Sequence, residues 1–142
     1  MNYTVLGDNV NFASRLEGTN RFFGTRILIS QSTYEKVTNT YLCRPLGMIA
    51  AKGKTVGIAV FELLGRRKTS AQPGLEEFCD QFARGLQAYQ RRAWDEALAV
   101  FENLLREKPD DAAIQLYQSR CQQYRAQPPA ADWQPVEFLE TK

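Results

Sequence analysis

Asn11 and Arg15 stand four residues apart in a stretch that reads as a helix, so they share one face, one turn apart. A neutral amide beside a permanently charged, fork-shaped guanidinium suits an anionic ligand with phosphate oxygens. The pair lies one turn into the helix, where the positive end of the helix dipole adds to the attraction. A further cation, Lys52, sits in the glycine turn Lys52-Gly53-Lys54, and its flexible ammonium suits a terminal phosphate. Taken singly, each residue has a plainer reading: a solvated arginine, a helix-capping asparagine and an ordinary hairpin turn. Spacing alone leaves both readings open.

The composition narrows the chemistry. The chain has no histidine, which excludes Ser-His-Asp and Cys-His nucleophiles and His-ligated metals. Cys43, Cys79 and Cys121 are odd in number and far apart, so they read as free thiols in a reducing compartment and form no zinc spacing. Across 142 residues, 18 Lys+Arg face 16 Asp+Glu, a net charge of +2 that is too balanced for a nucleic-acid binder driven by charge. No run approaches the ~18 apolar residues needed to span a bilayer. The N-terminal MNYTVLGDNV has no basic start and no apolar core, so it is no secretory signal.

The elements that must position these residues change in kind near Gly65. Residues 1–65 hold sixteen Val, Ile and Thr and a net charge of +3; residues 66–142 hold five and a net of −1. β-branched residues favour strands, so the first part is expected to be mixed and the second helical. Tyr3–Gly7 reads as a short strand, and Asp8 caps a helix from Asn9 to about Phe23 that Gly24 ends. Arg26–Ser30 reads as a buried strand and Gln31–Thr38 as a short helix. Tyr41–Ala51 and Val56–Leu64 read as strands joined by the Lys52-Gly53-Lys54 turn. Residues 66–74, closing on Pro73-Gly74, read as a linker. Leu75–Gln90, Trp94–Lys108 and Asp111–Arg125 read as three helices; Pro109 stops the second, and Asp110 or Asp111 caps the third. Residues 127–142 read as an extended tail bearing Trp133 and Phe138.

Several strings agree at once with one family. YTVLGDNVNFASRLE (residues 3–17), GTRILIS (24–30), Cys43-Arg44, Lys52-Gly53-Lys54 and AVFELL (59–64) together resemble the signature of class III nucleotide cyclases. The resemblance implies an α+β fold for residues 1–65, the C-terminal half of a ferredoxin-like cyclase domain with a mixed sheet. An all-α helical-hairpin extension would follow in 75–126. It also implies conversion of ATP, or GTP in some members, to the cyclic 3′,5′-monophosphate and pyrophosphate. Asn11 matches the residue that orients the ribose, and Arg15 the one that stabilises charge developing on the α-phosphate. Lys52 matches the lysine near the β- and γ-phosphates. Thr4 falls at the base-reading position, where a hydroxyl facing the adenine amino group favours ATP over GTP.

The family holds two Mg²⁺ or Mn²⁺ ions with a pair of aspartates, and no residue of this sequence matches either; Asp8 lies near the site but is not one of them. In the family, active sites form between two protomers of a homodimer. The expectation is therefore that this chain alone has no cyclase activity. The resemblance implies a cytoplasmic location, with a membrane tether possible elsewhere in a complete protein.

The helical part resembles a tetratricopeptide repeat through Trp94, Ala97, Phe101 and Pro109, with Gly85 at the small position of the preceding helix. About one and a half repeats are present, fewer than a free-standing solenoid needs. The plainer alternative is a three-helix extension packed on the cyclase portion. Bacterial adenylate cyclases often continue in this way, with a closing segment like Asp132-Trp133. Two functions follow: part of an adenylate cyclase, or a non-catalytic module whose helices bind a protein partner while the cyclase remnant is structural.

Overall fold

The computed structural model describes residues 4–6, 27–51, 57–67 and 74–139. Among these residues run β1 (Thr4–Leu6), β2 (Ile27–Ser30), α1 (Gln31–Val37), β3 (Tyr41–Ala51), β4 (Ile58–Arg66), α2 (Leu75–Gln90), α3 (Trp94–Glu107), α4 (Ala112–Ala126) and β5 (Val136–Leu139). The helix expected from Asn9 to about Phe23, with its Gly24 stop, lies outside the described residues.

The strands form one mixed sheet in the order β1-β2-β4-β3-β5. β1 pairs parallel with β2, and β5 parallel with β3, while β4 runs antiparallel to both of its neighbours. Parallel neighbours need a crossover of a dozen residues or more, and segment 7–26 has that length. β4 runs two residues past the expected Leu64, because Leu42 and Tyr41 pair with Gly65 and Arg66. Arg67 continues this docking: its backbone N–H donates to Thr40 O, and its guanidinium donates to Thr38 O and pairs with Glu76.

Side chains alternate across a strand, and the two faces have different covers. Val60 of β4 joins Leu28, Leu46 and Ile49 in a cluster with Phe82, Leu86, Phe101 and Tyr117 of the helices. Its neighbour Phe61 turns the other way and stacks on Tyr34 of α1, ring centroids 4.0 Å apart. Ser30 caps α1, its Oγ accepting from the Thr33 amide at 3.2 Å.

β3 carries a proline and a left-handed glycine, and both fit a bulge. Pro45 opposes Phe61 and Gly47 opposes Val60, so Leu46 is the extra residue. The extra residue switches the alternation, which is why Arg44, Leu46 and then Ile49 all meet the helices. Gly47 has φ +104°, a conformation open to glycine at no steric cost. The Leu46 carbonyl at the bulge accepts from the Tyr117 hydroxyl of α4 at 2.6 Å.

α2 and α3 approach closely at Gly85, where a Cβ would come within 2.8 Å of Phe101 Cε1. Their junction is a Schellman turn: Ala93 N donates to Ala88 O and Arg92 N to Tyr89 O. Arg92 takes the left-handed position (φ 67°) usually given to glycine. Its side chain accounts for the choice, because the guanidinium donates to Pro129 O and Ala130 O and lies over the Trp133 ring. Asp111 caps α4, accepting from the Ile114 amide at 2.9 Å. Within the segment read as an extended tail, Val136–Leu139 form the fifth strand of the sheet, parallel to β3. No helix among the described residues is long and apolar enough to cross a membrane.

Candidate functional site

Of the four residues singled out for phosphate and base recognition, Thr4 falls on a described element. It opens β1 and pairs in register with Ile27. Asn11, Arg15 and Lys52 lie outside the described residues. The described strands still fix where the segments bearing them begin and end. Leu6 pairs with Ile29 at the C-terminal end of both strands, and Ser30 pairs with Val60 near the start of β4. Ile49, near the end of β3, pairs with Ile58. The exit from β1 toward Asn11, the end of β3 toward Lys52 and the start of β4 therefore share one end of the sheet. With neighbouring strands about 4.8 Å apart, β1 and β3, three places apart, are separated by roughly 14 Å.

Two buried polar joints tie the sheet to the helices, and neither was evident in the sequence reading. In the first, Arg44 of β3 is 3% exposed and its three guanidinium nitrogens are all engaged. Nε and Nη2 donate to Glu62 Oε1 of β4, at 3.1 and 2.5 Å, and Nη1 donates to Asp111 Oδ2 at 3.0 Å. The guanidinium lies over the Phe82 ring, 4.7 Å from its centroid, and Phe78 lies at 5.4 Å. Burial pushes the Glu62 carboxyl above its usual range; Arg44 pulls it down, and Asp111 adds to the rise.

In the second joint, Glu137 of β5 is 5% exposed and accepts from Tyr89 Oη of α2 and Arg120 Nε of α4, each at 3.0 Å. Burial, then the nearby Glu137 carboxylate, holds the Tyr89 phenol far above its ordinary range. The two joints connect the sheet to α2 and α4. Through these bonds between strand and helix residues they act as structural links.

A small cleft of about 190 Å³ opens between β3, β4 and α2, lined by Met48, Ala59, Phe61, Leu86 and Gln87 among others. Its walls are largely apolar. Among the described residues no group of three or more Cys, Asp or Glu could hold a metal ion. Cys43, Cys79 and Cys121 are all buried, and none is in a disulfide.

Among known proteins, the chain is similar to adenylate cyclases. It is 29% identical over 124 residues to the terminal-differentiation specific adenylate cyclase of Dictyostelium discoideum, covering 85% of this chain and 6% of that protein. It is 40% identical over 65 residues to adenylate cyclase 1 of Rhizobium meliloti, covering 46% of this chain and 10% of that protein. An adenylate cyclase of Mycobacterium bovis is 39% identical over 72 residues, 51% of this chain and 15% of its own length. The chain thus spans 15% or less of these relatives. A match covering 85% of the chain must run past residue 65 wherever it begins, so the Dictyostelium likeness includes helical sequence as well as strands. These likenesses support an adenylate cyclase family. No family model and no solved structure matches.

Proposed function

We propose that this chain is a portion of a class III adenylate cyclase, in which it supplies the groups that position the nucleotide and stabilise the transition state. The observation that carries this reading is the Asn11–Arg15 pair within its cyclase-like string, in a chain similar to three adenylate cyclases. The shared sheet end of β1, β3 and β4 supports it, because one triphosphate must be met by residues of both connecting segments.

In the proposed reaction the ribose 3′-hydroxyl gives up its proton to water and its oxygen attacks the α-phosphorus of ATP. The new O3′–P bond closes the ring as the bond to the bridging oxygen breaks, and pyrophosphate leaves with its electron pair. Negative charge grows around the α-phosphate and on the leaving group, so catalysis is largely positioning and preorganised cations. Asn11 orients the ribose, Arg15 stabilises the α-phosphate, Lys52 holds the β- and γ-phosphates, and Thr4 reads the adenine. The two Mg²⁺ or Mn²⁺ ions of the family would be held by carboxylates that no residue here matches. This chain would therefore work across a homodimer of the complete cyclase and would not cyclise ATP alone. ATP as substrate implies the cytoplasm.

The helical part is best read as an extension packed on the cyclase portion. The burial of α2, α3 and α4 in one cluster with β2, β3 and β4 supports this over a free-standing repeat that binds a partner. The close seat of Gly85 against Phe101 supports a tetratricopeptide-like pairing of α2 and α3 within it.

The test is cyclic AMP formation by the complete cyclase carrying this segment. Arg15→Ala and Asn11→Ala should each lower kcat, Arg15→Ala by a hundredfold or more, about 3–4 kcal/mol of transition-state stabilisation, with the fold intact. Unchanged turnover in both would overturn the assignment. The isolated chain with ATP and Mn²⁺ should form no cyclic AMP, and product there would overturn its dependence on a second half.

A further inference from the structure

We propose that the C-terminal strand β5 is a positioning element for the β3–β4 end, coupling the helical extension to the segment that carries Lys52; its use in catalysis rests on the phosphate role proposed for Lys52. β5 meets the residues that flank that segment, Ala51 and Gly57. On the β3 side, the parallel ladder runs from Met48–Val136 through to Ala51–Leu139, so Ala51, the residue before Lys52, is paired. On the β4 side, a Cβ built on Gly57 would meet Val136 Cγ2 at 2.9 Å and Met48 Cβ at 3.2 Å. Gly57 therefore leaves room for Val136 where a larger residue would push it away. Ala51 and Gly57, on either side of residues 52–56, are both set against one short strand.

That strand is in turn held by the helices. Glu137 accepts from Tyr89 of α2 and Arg120 of α4. Upstream, Trp133 packs edge-on against Tyr89, Trp94 and Tyr124, and Arg92 grips the Pro129 and Ala130 carbonyls. A displacement of α2 against α4 reaches Glu137 directly, and through β5 it reaches Ala51 and Gly57. Glu137, Tyr89 and Arg120 are thus positioning residues, acting through β5 and not on the nucleotide.

The experiment uses the full chain, with amide hydrogen exchange and amide chemical shifts read residue by residue. Gly57→Ala should displace β5: exchange at Val136–Leu139 should quicken at least about tenfold, and the Ala51 and Ile58 shifts should move. Adding Val136→Ala removes the collision and should restore both. Glu137→Ala should reproduce the loosening, while Glu137→Gln, which keeps an acceptor for Tyr89, should loosen less. Protection of the Leu98 and Phe101 amides in α3 reports that each variant is folded. Loss of β5 protection with Ala51 and Ile58 unmoved would overturn the proposal, as would a Gly57→Ala variant that keeps β5 protected. Binding of pyrophosphate to the same chain, with and without Lys52→Ala, tests the phosphate role separately. Affinity indifferent to Lys52 would overturn that role, whatever the exchange shows.

Discussion

Arg44 Nη1 and Asp111 Oδ2 lie 3.0 Å apart, joining the middle of a sheet strand to the cap of the last helix. Asp111 does two jobs at once, because its other oxygen accepts from the first turn of α4. With Glu62 on the remaining guanidinium nitrogens, a single buried cation faces two carboxylates.

Removing that cation leaves charge stranded. Arg44→Ala should cost about 3–5 kcal/mol, the usual result of breaking a buried pair from one side. Urea unfolding of the full chain measures it. The pair of changes Arg44→Met and Glu62→Leu should cost less than the single loss, since it removes one of the two stranded carboxylates and leaves only Asp111, which still caps α4. A double variant as unstable as Arg44→Ala would contradict this.

The bulge in β3 is expected to tolerate little. Tyr117→Phe removes the donor to the Leu46 carbonyl and should cost about 1–3 kcal/mol. Gly47→Ala should also be destabilising: the backbone there is left-handed, and the added methyl would collide with the Tyr117 hydroxyl. Denaturation midpoints of the two variants and their combination check both. Less than additive losses in the combination would show that the hydroxyl is the obstacle.

Gly85→Ala opposes helix propensity to packing. Alanine favours α2 by about 1 kcal/mol. Its methyl, however, would press on Phe101 Cε1 at 2.8 Å and Val100 Cγ1 at 3.0 Å. Phe101 is fully buried and cannot easily give way. Overpacking typically costs 1–3 kcal/mol, so a net loss of about 1 kcal/mol is expected. A higher thermal midpoint than wild type would refute it.

Alkaline pH should destabilise the fold. Burial pushes the Cys79 thiol from 9.0 up to about 11 and the Cys121 thiol from 9.0 up to about 12. An unfolded chain gives up these protons near pH 9, whereas the folded chain keeps them. The stabilisation is therefore complete below pH 9 and is lost as pH climbs toward 11 and 12. The raised phenols of Tyr89 and Tyr117 extend the same trend. The Tm should fall across this window, and less steeply in Cys79→Ala/Cys121→Ala. A flat Tm in the wild-type chain would count against it.

Local signals carried far in this sequence. The apolar period marks α2 at Leu75–Gln90, and Asp111 ahead of a helical run marks the start of α4. The ends of β4 and the tail were harder, because pairing decides them. Arg66 is polar and looks like linker until Tyr41 is set opposite it. Val136 has its partner Met48 far back in the chain, which no local pattern reveals. The Arg44 joint was hidden for a related reason: whether a charged residue of β3 points inward depends on the bulge and on which strand lies beside it. For the candidate site, the strand bearing Thr4 was legible, whereas Asn11, Arg15 and Lys52 rest on motif alone.

The pairing of β5 with β3 also bears on how copies of this chain meet each other. β3, at eleven residues, is the longest described strand, and β5 covers one side of its last four. Were β5 to lift, that stretch would offer open backbone donors and acceptors beside an apolar run, the usual template for growth of sheets between chains. Pairing with β5 therefore closes that stretch of edge, and a chain that loses β5 should be more prone to pair with copies of itself.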